Sequence, residues 1–394
     1  MADTSVVVVG AGPVGLLTTL GLARAGVDVT LFETARLTDG AGVGHDMIYH
    51  WAALPGLQRL GVLDDMTAAG LIGRYWTLMV AATGERIVMD WGQLADRIPF
   101  PHTVHLPPDR LAAVVLPHIR RHRHVTVRLG TRVTDVAPDA DGVTVTADGP
   151  DGPSVTRADW VVGTDGAHSV VRRALGIGFA GTTWPYHIIA TTTEFDWSTV
   201  GCSELTYRVA PSYPAMAARI DDRQWRFVYI EPRNVAPESV ASRMPDAFEA
   251  ILGPAVDPGL VGWSTYRVHE RAAENFRAGR VLLAGDAAHV TNPTMTLGLA
   301  SGLLDSYVLV EALAAVVHGD RDEAVLDRYA AERRRVFLDT TSVLSSRGMH
   351  TVLADDGPLE QEVRLDVYRR AAADPAALFD MFSDCGELET PSVL

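Results

Sequence analysis

Three stretches of the chain carry residue types and spacings suited to gripping phosphates and sugar hydroxyls. Gly10, Gly12 and Gly15 stand in G-x-G-x-x-G spacing inside "SVVVVGAGPVGLLTTLGLARAGVDVTLFE", residues 5–33. A glycine at 10 permits a tight turn, Gly12 lets a pyrophosphate approach the backbone, and Gly15 lets helix and strand pack closely. Glu33, 18 residues beyond Gly15, is placed to accept hydrogen bonds from a ribose diol. An acid there argues against a 2′-phosphorylated ligand. Far downstream, "RVLLAGDAAHVTNPTM" (280–295) sets Gly285-Asp286 just past an apolar run. Between them lies "RADWVVGTDGAHSVVRRALGI" (157–177), with Asp165-Gly166 after a β-rich run.

The elements that must position these residues are legible nearby. "SVVVV" has the β-branched run of a buried parallel strand, "LLTTLGLARAG" has helical periodicity, and "VDVTLF" is a second strand. A helix starting at the glycine turn, with Pro13 and Val14 in its first turn, presents free N–H groups and a partial positive charge to a phosphate. Ser169 to Arg173 opens another helix after the Asp165-Gly166 turn. A further helix beginning near Gly298 can aim its N-terminus at the same ligand. The first unit predicts a dinucleotide site and leaves NAD and FAD equally open.

Three such segments in this order resemble the single-component flavin monooxygenases, the para-hydroxybenzoate hydroxylase-like family. The resemblance rests on the first triplet, on Asp165, Gly166, Ser169 and Arg172 in the middle, and on Gly285, Asp286, Ala287, Ala288, His289 and Pro293 late in the chain. It implies an α/β fold: a Rossmann-like FAD-binding domain with an inserted antiparallel-sheet substrate domain and C-terminal helices. It implies bound FAD, with Asp286 on the ribityl chain and the backbone around Gly298 and Leu299 facing the flavin ring. Val133 is assigned to the cofactor site with them. The family's glycine-rich loop after the proline is replaced here by "PTMTLGLASGLLD", with Met295, Thr296, Leu297 and Ala300 in its places. Where the family often has an arginine near the end of the first unit, "GAGVGHDMIYHW" offers His45 or Asp46; Arg110 is the nearest substitute.

The chemistry that this resemblance implies begins with reduction of the flavin by NADH or NADPH. O₂ then adds to it, and a flavin C4a-hydroperoxide transfers oxygen to an aromatic or polyketide-like small molecule. FAD would carry the difficult chemistry while the protein orients it. The single complete G-x-G-x-x-G unit makes the nicotinamide a transient co-substrate. Baeyer–Villiger oxygen insertion or epoxidation is the alternative reaction, and a flavin-binding protein without catalysis the alternative class. Hydroxylation is easier from a phenolate, so a proton acceptor would help. Tyr207, His187 and Arg219 are the candidates from the substrate region, beside Tyr186, Tyr213 and Tyr229. Strand alternation turns only half of such residues toward one pocket. His289 reads as structural.

The FAD-binding domain is expected over 1–70, 98–180 and 267–345, the substrate domain over 71–97 and 181–266, and a C-terminal helical segment over 346–394. Within the first domain, "VTVRLGTRVTDVAP" reads as one strand and "GVTVTAD" as the next, joined by an Asp-Gly turn. The substrate domain is marked by short aromatic and β-branched runs such as "ELTYRVA" and "QWRFVYIE".

Composition sets the outer bounds. Lys and Arg number 34 against 49 Asp and Glu, a net charge of −15, which disfavours nucleic-acid and anionic-membrane binding. The cysteines, Cys202 and Cys385, form no C-x-x-C, and no His, Asp or Glu spacing recommends a metal. "VVVV" is too short for a signal peptide, and no window has 18 uninterrupted apolar residues. A cytoplasmic monomer or homodimer acting on a small molecule is the expectation.

Overall fold

The valine run forms the centre of a sheet. In the computed structural model, which describes residues 3–36, 47–232, 234–254, 256–355 and 357–394, strand Asp3–Val9 pairs in parallel with Val29–Phe32 on one side and Gly152–Gly163 on the other. Val6, Val7 and Val8 are completely buried, as β-branched residues covered on both faces should be. Val125–Arg128 extends this sheet beyond Val29–Phe32, and Val281–Leu283 extends it beyond Gly152–Gly163, both in parallel. Val143–Gly149 folds back antiparallel onto Gly152–Gly163, and Arg132–Pro138 pairs antiparallel with Val143–Gly149 in turn.

"VTVRLGTRVTDVAP" is therefore two strands. Gly130 adopts φ +63 between them, a left-handed conformation that ends one pairing and starts the other. The alternation on either side of it looked continuous because nothing in a hydrophobic pattern marks a change of partner strand.

The second sheet runs in the order His289–Val290, Leu260–Ala273, Phe179–Thr193, Trp225–Pro232, Ala215–Arg219, Leu205–Val209, Tyr75–Val80, Glu85–Asp90. Its pairings are antiparallel except where Leu205–Val209 meets Tyr75–Val80 in parallel. Alternation gives it two distinct faces. Ile189, Phe227 and Tyr229 pack with Trp197 against helix Val240–Leu252. Ile188, Ala190, Val228 and Ile230 face the other way, toward Met349 and Leu353 of helix Ser342–Leu353. A small third sheet, Ile48–Tyr49 with Thr103–His105 and Leu71–Gly73, lies beside the main two.

Helix Leu297–Val317 carries residues into two hydrophobic cores: Leu303, Leu309 and Leu313 pack with helix Pro13–Arg24, and Leu297 and Leu304 pack with Trp76 and Tyr207. Burial on both sides accounts for a run long and apolar enough by itself to cross a membrane. Helix Ala324–Val336 continues through a π-helical turn, Phe337–Thr341, into Ser342–Leu353. The expected start of a C-terminal segment at 346 thus falls inside a helix. Leu365, Tyr368 and Phe382, beyond it, close over Trp76 and Trp91, with the Phe382 and Trp91 ring centres 4.2 Å apart.

Gly130→Ala should cost about 1–2 kcal/mol, the left-handed penalty of a residue with a β-carbon, because the three nearest atoms to that position all belong to the flexible Arg36 side chain. A urea midpoint shift of that size in the cofactor-free protein checks it.

Candidate active site

Three glycine contacts bring the three motifs together. A β-carbon on Gly10 would lie 2.6 Å from the Thr164 carbonyl oxygen, so the first turn rests directly on the middle motif. One on Gly15 would lie 1.8 Å from the Gly10 carbonyl oxygen. Gly285 and Gly302 both press on Val14, where added β-carbons would approach its Cγ2 at 2.8 and 2.9 Å. Gly12 is different: nothing among the described residues comes within 4 Å of where its β-carbon would be. It is the N-cap of helix Pro13–Arg24, and no side chain caps that end. An open cradle at an uncapped helix N-terminus fits a pyrophosphate. Beside it, the Glu33 carboxylate accepts the Ala11 N–H at 2.6 Å and the Ala35 N–H at 2.7 Å.

The Asp165 carboxylate is turned inward. It accepts Ser169 Oγ at 2.5 Å and the Val170 N–H at 2.6 Å, capping the short helix Val170–Ala174. Arg172 carries the link onward, donating to the Ala287 carbonyl at 2.7 Å and lying 3.7 Å over the Phe179 ring.

A cavity of about 850 Å³ opens between this junction and the second sheet. Asp286, Pro293, Gly298 and Leu299 line it, together with Met216, Tyr266, Met47 and Ile48. The Asp286 side chain is open to the cavity. Thr291 Oγ1 and Asn292 Nδ2 also border the cavity and meet no hydrogen-bond partner among the described residues. Buried polar atoms left open in a cavity wall are what a polar ligand would satisfy. The donor set, the Gly12 cradle and the accessible Asp286 together fit FAD.

The late loop is held from behind. Asp305, fully buried, accepts the Gly285 N–H at 3.0 Å, His289 Nε2 at 2.7 Å and Arg333 Nε at 2.7 Å. Burial pushes the Asp305 carboxyl upward, but the charges and hydrogen bonds of His289 and Arg333 outweigh it and the net shift is downward. Arg333 goes on to donate to the Leu388 carbonyl at 2.7 Å and to Thr390 at 2.8 Å. Met295 and Thr296, in the loop itself, adopt φ +64 and +59 without being glycines.

The remaining sequence candidates scatter. Val133 is a core residue packed with Val7, Val9 and Phe32, so its side chain is spent on the fold. Arg110 is ion-paired to Asp221 at 2.6 Å and does not line the cavity. His187 shares its sheet face with Ile189 and Glu231, away from the cavity. Arg219 bonds the Asp221 carbonyl and Asp222 at the hairpin end. Tyr207 is on the cavity-side face, but burial pushes its phenol well above the ordinary value, so it holds its proton at neutral pH. His45 and Asp46 lie outside the described residues. Tyr266, Thr291 and Asn292 carry no sequence signal, since side-chain direction on a strand or loop leaves no mark in composition. Arg333 is hidden in sequence because nothing in its type or spacing sets it apart from Arg334 and Arg335 beside it.

Arg333→Met should destabilise the protein by about 3–5 kcal/mol, the cost of stripping a partner from a buried pair, as read from thermal or urea unfolding. Asp305 has a lowered folded value, so its stabilisation is present above the unfolded carboxylate pKa and lost as pH falls through the folded one. Asp305→Asn should flatten the acid limb of stability below about pH 4.

Residues 3–342 match the family described as FAD binding domain. The chain is 38% identical over 350 residues to 6-hydroxy-3-succinoylpyridine 3-monooxygenase of Pseudomonas putida (strain DSM 28022 / S16), spanning 88% of both chains. Its backbone superposes on p-nitrophenol 4-monooxygenase of Pseudomonas putida DLL-E4 with a TM-score of 0.92 and 34% identity, covering 98% of this chain and 99% of the other. Aklavinone-11 hydroxylase, solved with FAD and aklavinone, gives a TM-score of 0.79 at 29% identity, covering 92% of this chain and 71% of the other. With three motifs packed against one another and these likenesses along nearly its whole length, the chain belongs to the FAD binding domain family of FAD-dependent aromatic monooxygenases.

Proposed function

We propose that this monooxygenase hydroxylates a compact, single-ring phenol or hydroxylated nitrogen heteroaromatic. The observation that carries the reading is the cavity, lined by the Asp286 to Leu299 motif together with Met216, Tyr266 and Ile48. A flat ring bound there would lie beside the flavin-facing loop, where electrostatic contacts gain strength as water is displaced. The relatives named for pyridine and nitrophenol substrates match this chain over more of their length than the aklavinone enzyme does.

Bound FAD supplies electron transfer from NAD(P)H and activation of O₂; the chain's own residues hold and orient. Gly12 and the start of helix Pro13–Arg24 receive the pyrophosphate, with Gly10, Pro13, Val14 and Gly15 shaping that turn. Glu33 takes the ribose diol in exchange for its Ala11 contact. Asp286 accepts a ribityl hydroxyl, and the 293–299 loop faces the ring, with the N-terminus of helix Leu297–Val317 placing positive potential at its edge. Tyr207, protonated, serves as a hydrogen-bond donor and not as a base. We place the enzyme in the cytoplasm, supported by two unpaired cysteines and the buried setting of the apolar helix.

Asp286→Asn should weaken FAD binding at least about tenfold, as FAD titration measures. For the reaction, single-ring phenols should stimulate NAD(P)H oxidation and yield a product one oxygen heavier with a new ring hydroxyl. Stimulation by none of them, or a ring-expanded ester as product, would reject this reading.

A further inference from the structure

The loop leading to the flavin-facing backbone carries a buried donor that the protein leaves unused. Asn292 lines the cavity and is only 1% exposed. Its Oδ1 accepts the Thr294 N–H at 3.1 Å. A backbone N–H can only donate, so the carboxamide oxygen is fixed on that side and Nδ2 is turned away from it. Nδ2 meets no hydrogen-bond partner among the described residues. A buried N–H left unmade is costly, and a leucine of similar size would serve the fold better. Thr291, the other open group of this loop, belongs nearer the flavin: a β-carbon on Gly298 would lie 3.5 Å from its Cγ2. That leaves the Asn292 amide for the second ligand of the cavity.

The charge around it favours an anion. Among the described residues, Arg172, Arg173, Arg267 and Arg271 line the cavity against one carboxylate, Asp286. Arg172, Arg173 and Arg271 donate to neutral oxygens, of Ala287, His168 and Thr183, which leaves their charge to act on the cavity. His168 and His269 also line it and add to that charge when protonated. Tyr207, His187 and Arg219, the residues considered above as proton acceptors, do not line it. A phenol that enters as its anion, its proton left in bulk water, needs no acceptor in the cavity.

We propose that Asn292 is a catalytic residue: its Nδ2 donates to the ring oxygen of the substrate and holds that oxygen as the phenolate. A hydrogen bond to an ionised oxygen is stronger than one to a neutral hydroxyl, so the amide favours the form that is easier to hydroxylate. The assignment rests on the aromatic-hydroxylase reading above.

The test uses the FAD-loaded enzyme with 4-nitrophenol, whose anion is yellow and whose acid is colourless, and subtracts the flavin spectrum. Titrations are run about one pH unit below the midpoint of the free phenol, where about a tenth of it is ionised in water. Bound to wild type, its ratio of anion to acid should be at least about tenfold above that in water. Asn292→Leu should remove about tenfold of that ratio and keep FAD bound. Its affinity for 4-nitroanisole, whose ring oxygen cannot ionise, should stay within about threefold of wild type. Asn292→Asp, which keeps an acceptor for Thr294 but puts a carboxylate where the donor was, should lower the ratio further, and covers the case in which the leucine variant does not accumulate. A wild type that binds no 4-nitrophenol or binds it no more ionised than in water, or variants that keep the wild-type ratio, would overturn the assignment. So would variants that lose FAD with the colour of the bound phenol unchanged, which would give the amide to the cofactor. If no phenol stimulates NAD(P)H oxidation, the hydroxylase reading fails; if phenols stimulate it and the colour ignores Asn292, only this inference fails.

Discussion

Much of the molecule converges on the carboxylate of Asp305. It is fully buried, an expensive place for a negative charge, and is kept ionised by an arginine, a histidine and a backbone amide arranged around it. Each partner carries a different part of the structure. The Gly285 amide fixes the turn that presents Asp286 to the cavity. His289, stacked between Phe276 and Phe337, joins that turn to the π-helical segment at centroid distances of 5.7 and 4.4 Å. Arg333 ties both to the stretch containing Leu388 and Thr390. A loop that must hold a long ligand at one end is thereby anchored to the core helix and to residues far along the chain.

The second constraint is how closely backbones must approach. Gly10, Gly15, Gly285 and Gly302 are contact points where a β-carbon has no room, and together they seat the first helix on both later motifs. Gly12 is the complement, a place kept empty. The loop at Met295 and Thr296 goes the other way, forcing two residues with side chains into left-handed conformations at a cost of order 1–3 kcal/mol each. Both ends of that loop are held, by Asn292 accepting from Thr294 and by the start of a long buried helix, so the surroundings impose the strain.

The first nucleotide unit was legible because local spacing and local geometry coincide there: strand, turn, helix and acid follow one another within thirty residues. The late motif was legible in its Gly285-Asp286 pair but not in its support, because Arg333 and Asp305 are 28 residues apart on two helices. The phase of the second sheet was out of reach for another reason. Alternation shows that His187 and Ile188 point opposite ways, but which of them meets the cavity depends on the helix covering each face. Thus His187 and Arg219 turned away, while Tyr266, equally ordinary in sequence, turned toward it. The split at Gly130 and the parallel seam between Leu205–Val209 and Tyr75–Val80 depend likewise on partner choice.

The central claim is that a single extended flavin dinucleotide is held at its adenosine end by the Gly12–Glu33 unit and at its riboflavin end by Asp286. Calorimetric titration of cofactor-free protein with ADP and with riboflavin, in Glu33→Ala and Asp286→Ala variants, addresses the two ends separately. Glu33→Ala should weaken ADP and spare riboflavin, and Asp286→Ala should do the reverse. Both variants weakening the same fragment, or neither weakening either, would contradict the claim.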